Sequence, residues 1–471
     1  MEIIKDNIDK LNAEVVIKLK EDDYKSNVEK VLRDYQKKAR INGFRPGKVP
    51  MGVIQKMYGE SILVSEVNKM ISKSLYEYLH ENKIEVLGTP LPKSKETEKV
   101  NWKTQKDFEF TYEMGLSPEI NIKLANEKIS KHSVANDLKL TEKYIEYLQK
   151  RFGTQKEVEI SEIDDLIYGT LVELDESNEP KDGGISKQDV PIAPNTVEDN
   201  EAKKLFLGKK VGESIVVDPK KIANNPTVIA SMLGINKDLA ENFTSMLSFT
   251  ITKISRLSEA VLNQEFYNNV YGKDVIKSDS DFNKKASEEA HKMIMAEGEK
   301  KFNNDVIKKA LERTKVPLPN EFLKRWLISS NEKPITMEQV DSEYDGFAKN
   351  TRWQLIKNQI VKENELKVSE EELVNEAKNF VKNQYAQYGQ LQIGEKELAD
   401  IASKIVSNEE ERKSILERLY EFKVVEYLKS ILKIKEVDVS YDEFVKLANQ
   451  EDKKSESAFA KFFKSGFKKK S

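Results

Sequence analysis

The sequence predicts a multidomain α+β protein: a small N-terminal α+β domain, a β-rich inserted module, and a large all-α C-terminal domain with arms. Three observations carry this. Two alternating apolar runs, AEVVIKLK and DFEFTYEMG, frame helical sequence near the N-terminus. A stretch richer in Gly, Pro and Asp follows, in which short strand patterns alternate with turns. Beyond Ser258 the three-four spacing of amphipathic helices runs almost to the end. At 471 residues the chain is too long for a single core. The expected parts are 1–115, a helical linker 116–155, the module 156–256, the helical body 257–450 and a basic tail 451–471.

Within the first part, Val15, Ile17 and Leu19 alternate, as do Phe108, Phe110, Tyr112 and Met114, which is the period of half-buried strands. Between them Val28, Val31, Leu32, Tyr35 and Ala39 recur at three and four and form one helix face. Gly43 then stops the helix, and Pro50 suits the first turn of the next one, which carries Ile54, Met57, Tyr58, Ile62 and Val64. The stretch NGFRPGKVP is therefore the tip between two helices. In the linker, LTEKYIEYLQKRFG predicts a helix. In the module, DLIYGTLVELDESNEPKDGG reads as strand, turn and loop, LGKKVGESIVVDP as turn then strand, and SFTITKISRL as a closing strand. In the body, Met293, Phe302, Ile307 and Leu311 share a broad face, and Leu416, Tyr420, Val424, Tyr427, Leu428 and Ile431 repeat the pattern.

Composition narrows the chemistry. Charged residues make up 34% of the chain at a net charge of −3, and the mean hydropathy is −0.63. That balance offers no global field for nucleic acid, so any such contact has to be a local patch. No run approaches the roughly 18 apolar residues of a membrane span, and MEIIKDNIDKL lacks a secretory core, so a cytoplasmic location is expected. There is no cysteine for a disulfide, a thiolate zinc site or a Cys nucleophile. His80, His132 and His291 lie far apart and read as ordinary side chains, not metal ligands. Without a phosphate-cradling loop or a catalytic cluster, no cofactor is expected, and a function built on binding leads.

The tip gives that binding a candidate. Phe44 offers apolar area to a partner pocket, Arg45 a planar fork and Lys48 a point cation. Gly43, Pro46, Gly47 and Pro50 stiffen and shape the backbone around them, which lowers the entropy lost on docking. The other reading is a helix connector whose charges are solvated.

GFRPGKVP resembles the ribosome-docking signature of the trigger factor family of bacterial nascent-chain chaperones. FTITKISRLSEAVLNQEFYNNVYG, KVPLPNEFLKRWL and KENELKVSEEEL resemble that family's passage into, and helices within, its helical domain, so the resemblance runs through nearly the whole chain. It implies that Gly43, Phe44, Arg45, Gly47, Lys48 and Pro50 carry docking to a ribosomal protein and the adjacent large-subunit RNA near the polypeptide exit. It also implies nascent and unfolded polypeptides as clients, a cytoplasmic protein that is partly ribosome-bound, and an FKBP-like module. Whether the free protein forms a homodimer is left open.

Family members usually carry a prolyl isomerase in this module. A dry aromatic pocket strips water from the twisting X-Pro amide, whose barrier is about 18–20 kcal/mol. GKKVGESIVV keeps the expected turn and strand. Tyr168 and Gly169 stand about where an Asp and an aromatic are expected, and APNTVEDNEAKKLF replaces an Ile-Pro-Gly-Phe-like segment. Tyr168, Phe206, Phe243 and Phe249 form either a degenerate pocket or part of the module's own core. Weak or absent isomerase activity is the expectation, with a binding surface or spacer as the module's remaining use. An active isomerase served by the helical domain, an envelope chaperone-isomerase and a helical scaffold are the competing readings.

In the body, Met293, Met295, Tyr385 and Tyr388 are adaptable contact residues or interhelical core. In the tail, Phe459, Phe462, Phe463 and Phe467 interleave with Lys461, Lys464 and Lys468. The tail reads either as an amphipathic helix for an anionic surface or as a disordered end.

Overall fold

The computed structural model describes residues 1–45, 47–93, 100–134, 138–331, 334–387 and 393–451. Pro46, Tyr388 and the Phe-rich tail lie outside these residues. The chain divides into two compact units. One joins Met1–Ser130 to Phe302–Lys435, and the other joins Lys131–Lys301 to the chain from Glu436.

The first unit opens with an antiparallel sheet in the order β1-β2-β4-β3, formed by β1 (Glu2–Asn7), β2 (Asn12–Leu19), β3 (Val86–Pro92) and β4 (Phe108–Leu116). The alternation read from sequence holds. Ala13, Val15, Ile17 and Leu19 are buried on one strand and Phe108, Phe110 and Met114 on its neighbour, paired as Ile17 with Phe110 and Leu19 with Phe108. This face packs on Val67, Ile71 and Leu75 of α2 (Met51–Glu81) and on Tyr24 of α1 (Glu21–Lys38). The short strands β1 and β3 were not evident from periodicity. Helix α1 starts with Glu21, Asp22 and Asp23 and ends with Lys37 and Lys38, the charge order its macrodipole favours. The Lys20 N–H donates to Asp23 Oδ2 at 2.8 Å, which satisfies a backbone donor at the helix start.

The same unit holds most of the helical body. Five helices follow the prolines at 317 and 319 and their successors, and a sixth feeds into them. We denote the unit-crossing helix Asp279–Arg313 as α5, and those after it as α6 (Asn320–Ser330), α7 (Met337–Glu363), α8 (Glu370–Gln387), α9 (Glu395–Ser407) and α10 (Glu409–Ile431); α3 (Leu138–Arg151) and α4 (Gln264–Tyr271) belong to the second unit. Phe302, Val306, Ala310, Phe322, Leu323, Ile356, Ile360, Val424, Val425 and Leu428 build the main core. Leu373, Ala377, Ala402 and Ile415 build a smaller one where α8, α9 and α10 meet. Thr336 and Gln339 form a reciprocal capping box at the start of α7.

This body is fastened to the N-terminal sheet through α6. Trp326 Nε1 donates to Thr89 Oγ1 at 3.0 Å, and Arg325 pairs with Glu113 at 2.7 Å. The Trp326 ring lies 2.8 Å from where a Cβ on Gly88 would stand, and Phe322 lies 2.7 Å from the corresponding point at Gly115. Glycine is required at both places for close approach.

In the second unit, a five-stranded sheet runs β6-β10-β7-β8 with β9 paired to β10, formed by β6 (Thr154–Glu157), β7 (Leu166–Glu173), β8 (Ser186–Ile192), β9 (Ser214–Val217) and β10 (Leu247–Ser258). Its strands β7, β9 and β10 fall where the sequence predicts them. Beside this sheet, Leu140, Tyr144 and Leu148 of α3, Phe266 and Tyr267 of α4, and Phe282, Ala286 and Ala290 of α5 share one core with Phe444. Tyr144 Oη donates to Glu289 at 2.9 Å, and burial first, then Glu289, pushes its phenol well above the ordinary range.

Two expectations are corrected. The linker 116–155 is not wholly helical, because it contains the strand β5 (Lys128–Val134) before α3. Nor is the body helical throughout 257–450. Lys433–Val439 forms a strand, β11, that pairs with β5. These segments are short, and their pairing depends on a partner far away in sequence. The Ser133 hydroxyl donates to Asp438 across 305 positions, and no local period reports such a contact.

Candidate functional site: the tip between α1 and α2

The tip is built from its base. Leu32, Ala39, Val49, Ile54 and Ile62 close a small core beneath it, with the Tyr35 and Tyr58 rings 4.7 Å apart beside it. Val49 is only 1% exposed, and its carbonyl accepts a hydrogen bond from Gln36 Nε2 at 2.6 Å. This buried valine between two prolines holds the returning limb against α1. Sequence reasoning passed over it, although an apolar residue in a cationic loop was the available signal.

Above the base the backbone turns twice. Phe44 N–H donates to Ile41 C=O at 3.1 Å and Lys48 N–H to Arg45 C=O at 3.0 Å. Gly43 sits at φ +90° and Gly47 at φ +77°, left-handed conformations in which a Cβ is costly. The Pro50 carbonyl accepts from Val53 N–H at 3.0 Å as the first turn of α2 forms.

These turns put the candidate side chains outward. Phe44 is 41% exposed, and Arg45 and Lys48 are exposed. Among the described residues neither cation has an ion pair or a side-chain hydrogen bond. The same holds for Lys38, Arg40 and Lys56 on the flanking segments. The adjacent carboxylate is occupied: Lys37 bonds Asp34 at 3.0 Å, and that bond holds the Asp34 carboxyl below the ordinary range. The tip thus presents an aromatic ring among uncompensated cations on a fixed backbone, suited to a partner with an apolar pocket and anionic surroundings.

Of the four aromatics considered for an isomerase pocket, Phe206, Phe243 and Phe249 join one core and Tyr168 does not. Phe206 and Phe249 are fully buried, 5.8 Å apart and edge to face, inside the module's core. Gly169 makes room for them, since a Cβ there would stand 2.5 Å from the Phe249 ring. Tyr168 falls on the alternate, half-exposed face of β7, opposite Pro191 and Lys253. Phe243 is half-buried at the core's edge. The module's frame is tied at two places. Glu213 accepts from Lys210 N–H at 3.1 Å in the Gly208–Gly212 turn, and Arg256 forks onto buried Asp165 at 2.7 and 2.8 Å.

Glu173 is the module's other buried carboxylate. Burial raises its pKa, but Lys181, the Ile185 N–H and the Ser245 hydroxyl outweigh this and hold it below the ordinary value. In the body, Met295 is exposed, whereas Met293 packs against a core and Tyr385 is half-buried. Among the described residues no cluster of His, Cys, Asp or Glu is placed to hold a metal ion, and no helix is long and apolar enough to cross a membrane.

Three family models match in chain order: bacterial trigger factor protein over residues 1–152, the FKBP-like domain of probable trigger factor over 155–259, and the C-terminal domain of probable trigger factor over 298–448. The chain belongs to the trigger factor family. The trigger factor of Treponema denticola is 27% identical over 354 residues, which cover 71% of this chain and 74% of that one. The trigger factor of Agrobacterium fabrum is 33% identical over 159 residues, covering 33% of this chain and 30% of its own. A solved structure described under promiscuous substrate recognition in folding and assembly activities of the trigger factor chaperone matches over 91% of this chain at 16% identity and TM-score 0.42. The three family models correspond in chain order to the α+β N-terminal sheet and helices, the FKBP-like β module, and the helical body.

Proposed function

We propose that this trigger factor family chaperone docks on the large ribosomal subunit through the tip between α1 and α2 and shelters nascent chains near the polypeptide exit. What supports this most is a single observation: Phe44 stands exposed next to Arg45 and four residues before Lys48, and neither cation is engaged elsewhere in the described structure. In this reading Phe44 fills an apolar pocket on a ribosomal protein, while Arg45 and Lys48 contact carboxylates or RNA phosphates beside it. Emerging chains meet exposed apolar side chains of the body, such as Phe380 and Phe422, in a setting of charged helix surface that keeps them solvated. Binding and release cycle through weak contacts, without nucleotide hydrolysis.

The module, in the same reading, has weak or no prolyl isomerase activity and serves as a spacer or extra binding surface. The burial of Phe206 and Phe249 in its core supports this. A proline-switch assay on a short peptide tests it: the full chain is expected to leave the rate near the uncatalysed one, and strong acceleration overturns the claim.

The docking role is tested by co-sedimentation with ribosomes. Changing Phe44, Arg45 and Lys48 together to Ala is expected to abolish co-sedimentation with unchanged helix content. Full retention by that variant, folded by circular dichroism, overturns the role.

A further inference from the structure

Asn42 and Gly43 form the sole Asn-Gly pair in the sequence, and they occupy the middle of the turn that Phe44 N–H closes onto Ile41 C=O. Gly43 at φ +90° takes the third position of a type II turn. Nothing lies within 4 Å of where its Cβ would stand, and its N–H makes no hydrogen bond among the described residues. The Asn42 side chain is exposed and, among the described residues, makes no hydrogen bond. The backbone nitrogen that follows an exposed amide is therefore unengaged and unshielded, and opening it to attack requires only one surface hydrogen bond to break.

We propose that Asn42 is a site of spontaneous deamidation, and that its conversion to aspartate or isoaspartate weakens the tip's hold on an anionic partner. The Gly43 nitrogen attacks Asn42 Cγ and forms a five-membered imide. The Cγ–N bond breaks, and the side-chain nitrogen leaves as ammonia with the proton from Gly43. Water then opens the ring at either carbonyl, with no change in oxidation state. Hydrolysis at one carbonyl gives aspartate, and at the other gives isoaspartate, which adds a methylene to the backbone between Ile41 and Gly43. Either product places a negative charge two and three residues from Phe44 and Arg45, in a patch that holds the cations Arg40, Arg45 and Lys48, and so lowers its attraction for anions. The isoaspartate also shifts Phe44 relative to the base held by Val49. The chemical step stands by itself, whereas its consequence for binding rests on the proposed docking role.

The test ages the full chain in mildly alkaline buffer and follows two readouts. Peptide mapping, with isoaspartyl methyltransferase labelling, follows amide loss at each asparagine, and co-sedimentation follows ribosome binding. Asn42 is expected to convert ahead of every other asparagine, with ribosome affinity falling several-fold in the converted fraction. Freshly made Asn42→Asp is expected to reproduce that loss, and aged Asn42→Gln to retain binding. Conversion of other asparagines while Asn42 stays intact overturns the site. Conversion of Asn42 with undiminished binding, shared by Asn42→Asp, overturns its effect on docking. If unaged wild-type protein fails to bind ribosomes, the docking role itself falls, while the chemical site is still judged by its peptide map.

Discussion

At the scale of residues, the tip rests on side chains buried beneath it, Val49 among them. Val49 is buried and its carbonyl is tied to Gln36, so it holds the limb that carries Arg45 and Lys48 against α1. Replacing it with Ala removes apolar burial of about 1–2 kcal/mol. We expect weaker ribosome binding and faster amide exchange over residues 41–49, with exchange in β2 and β4 unchanged; unaltered exchange at the tip would remove Val49 from the account. In the module, Glu173 has its folded pKa depressed, so its contribution to stability is present above the ordinary carboxylate value near 4.5 and is lost as pH falls through the folded value. Glu173→Gln is expected to cost about 1–3 kcal/mol at neutral pH, read as faster exchange in peptides spanning β7 and β8. The difference from wild type should shrink in acid. A difference that grows in acid would contradict the assignment.

At the scale of elements, close packing of α6 on the N-terminal sheet explains why glycine stands at 88 and 115. A valine at Gly88 would have to displace the Trp326 ring, 2.8 Å from its Cβ, while adopting φ +76°. Overpacking of this kind costs about 1–3 kcal/mol, and backbone strain at that φ adds to it. Gly88→Val is therefore expected to free Trp326 from Thr89, with a red-shifted tryptophan emission and a lower Tm. Unchanged emission would mean that the ring packs elsewhere in solution. Elements differ in how legible they were. β2, β4, α1 and α2 declare themselves because their buried residues recur locally, at every second position or at threes and fours. β5 and β11 do not, because what makes them strands is each other. The aromatics of the module show a related limit. Spacing in β7 tells that Tyr168 and Gly169 face opposite ways, but it does not tell which face the core covers, and Phe206 and Phe249 turn out to fill that core.

At the scale of the whole molecule, the order of domains along the chain follows the family models, and the N-terminal domain and most of the body form one unit through α6. That NGFRPGKVP joins two helices and exposes Phe44, Arg45 and Lys48 was legible in the sequence, because an aromatic among cations, glycines and prolines is a combination that a plain connector does not need. Its rigidity was not legible, since that comes from Gln36, Val49 and the Tyr35–Tyr58 pair below it. The central claim is that this tip, and not another exposed surface, touches the ribosome. The direct measurement is photo-crosslinking from position 44, with exposed Tyr76 of α2 as the comparison site. The account predicts crosslinks from position 44 to a large-subunit component, suppressed when Arg45 and Lys48 are changed to Ala. Capture from position 76 but not from position 44 would contradict it.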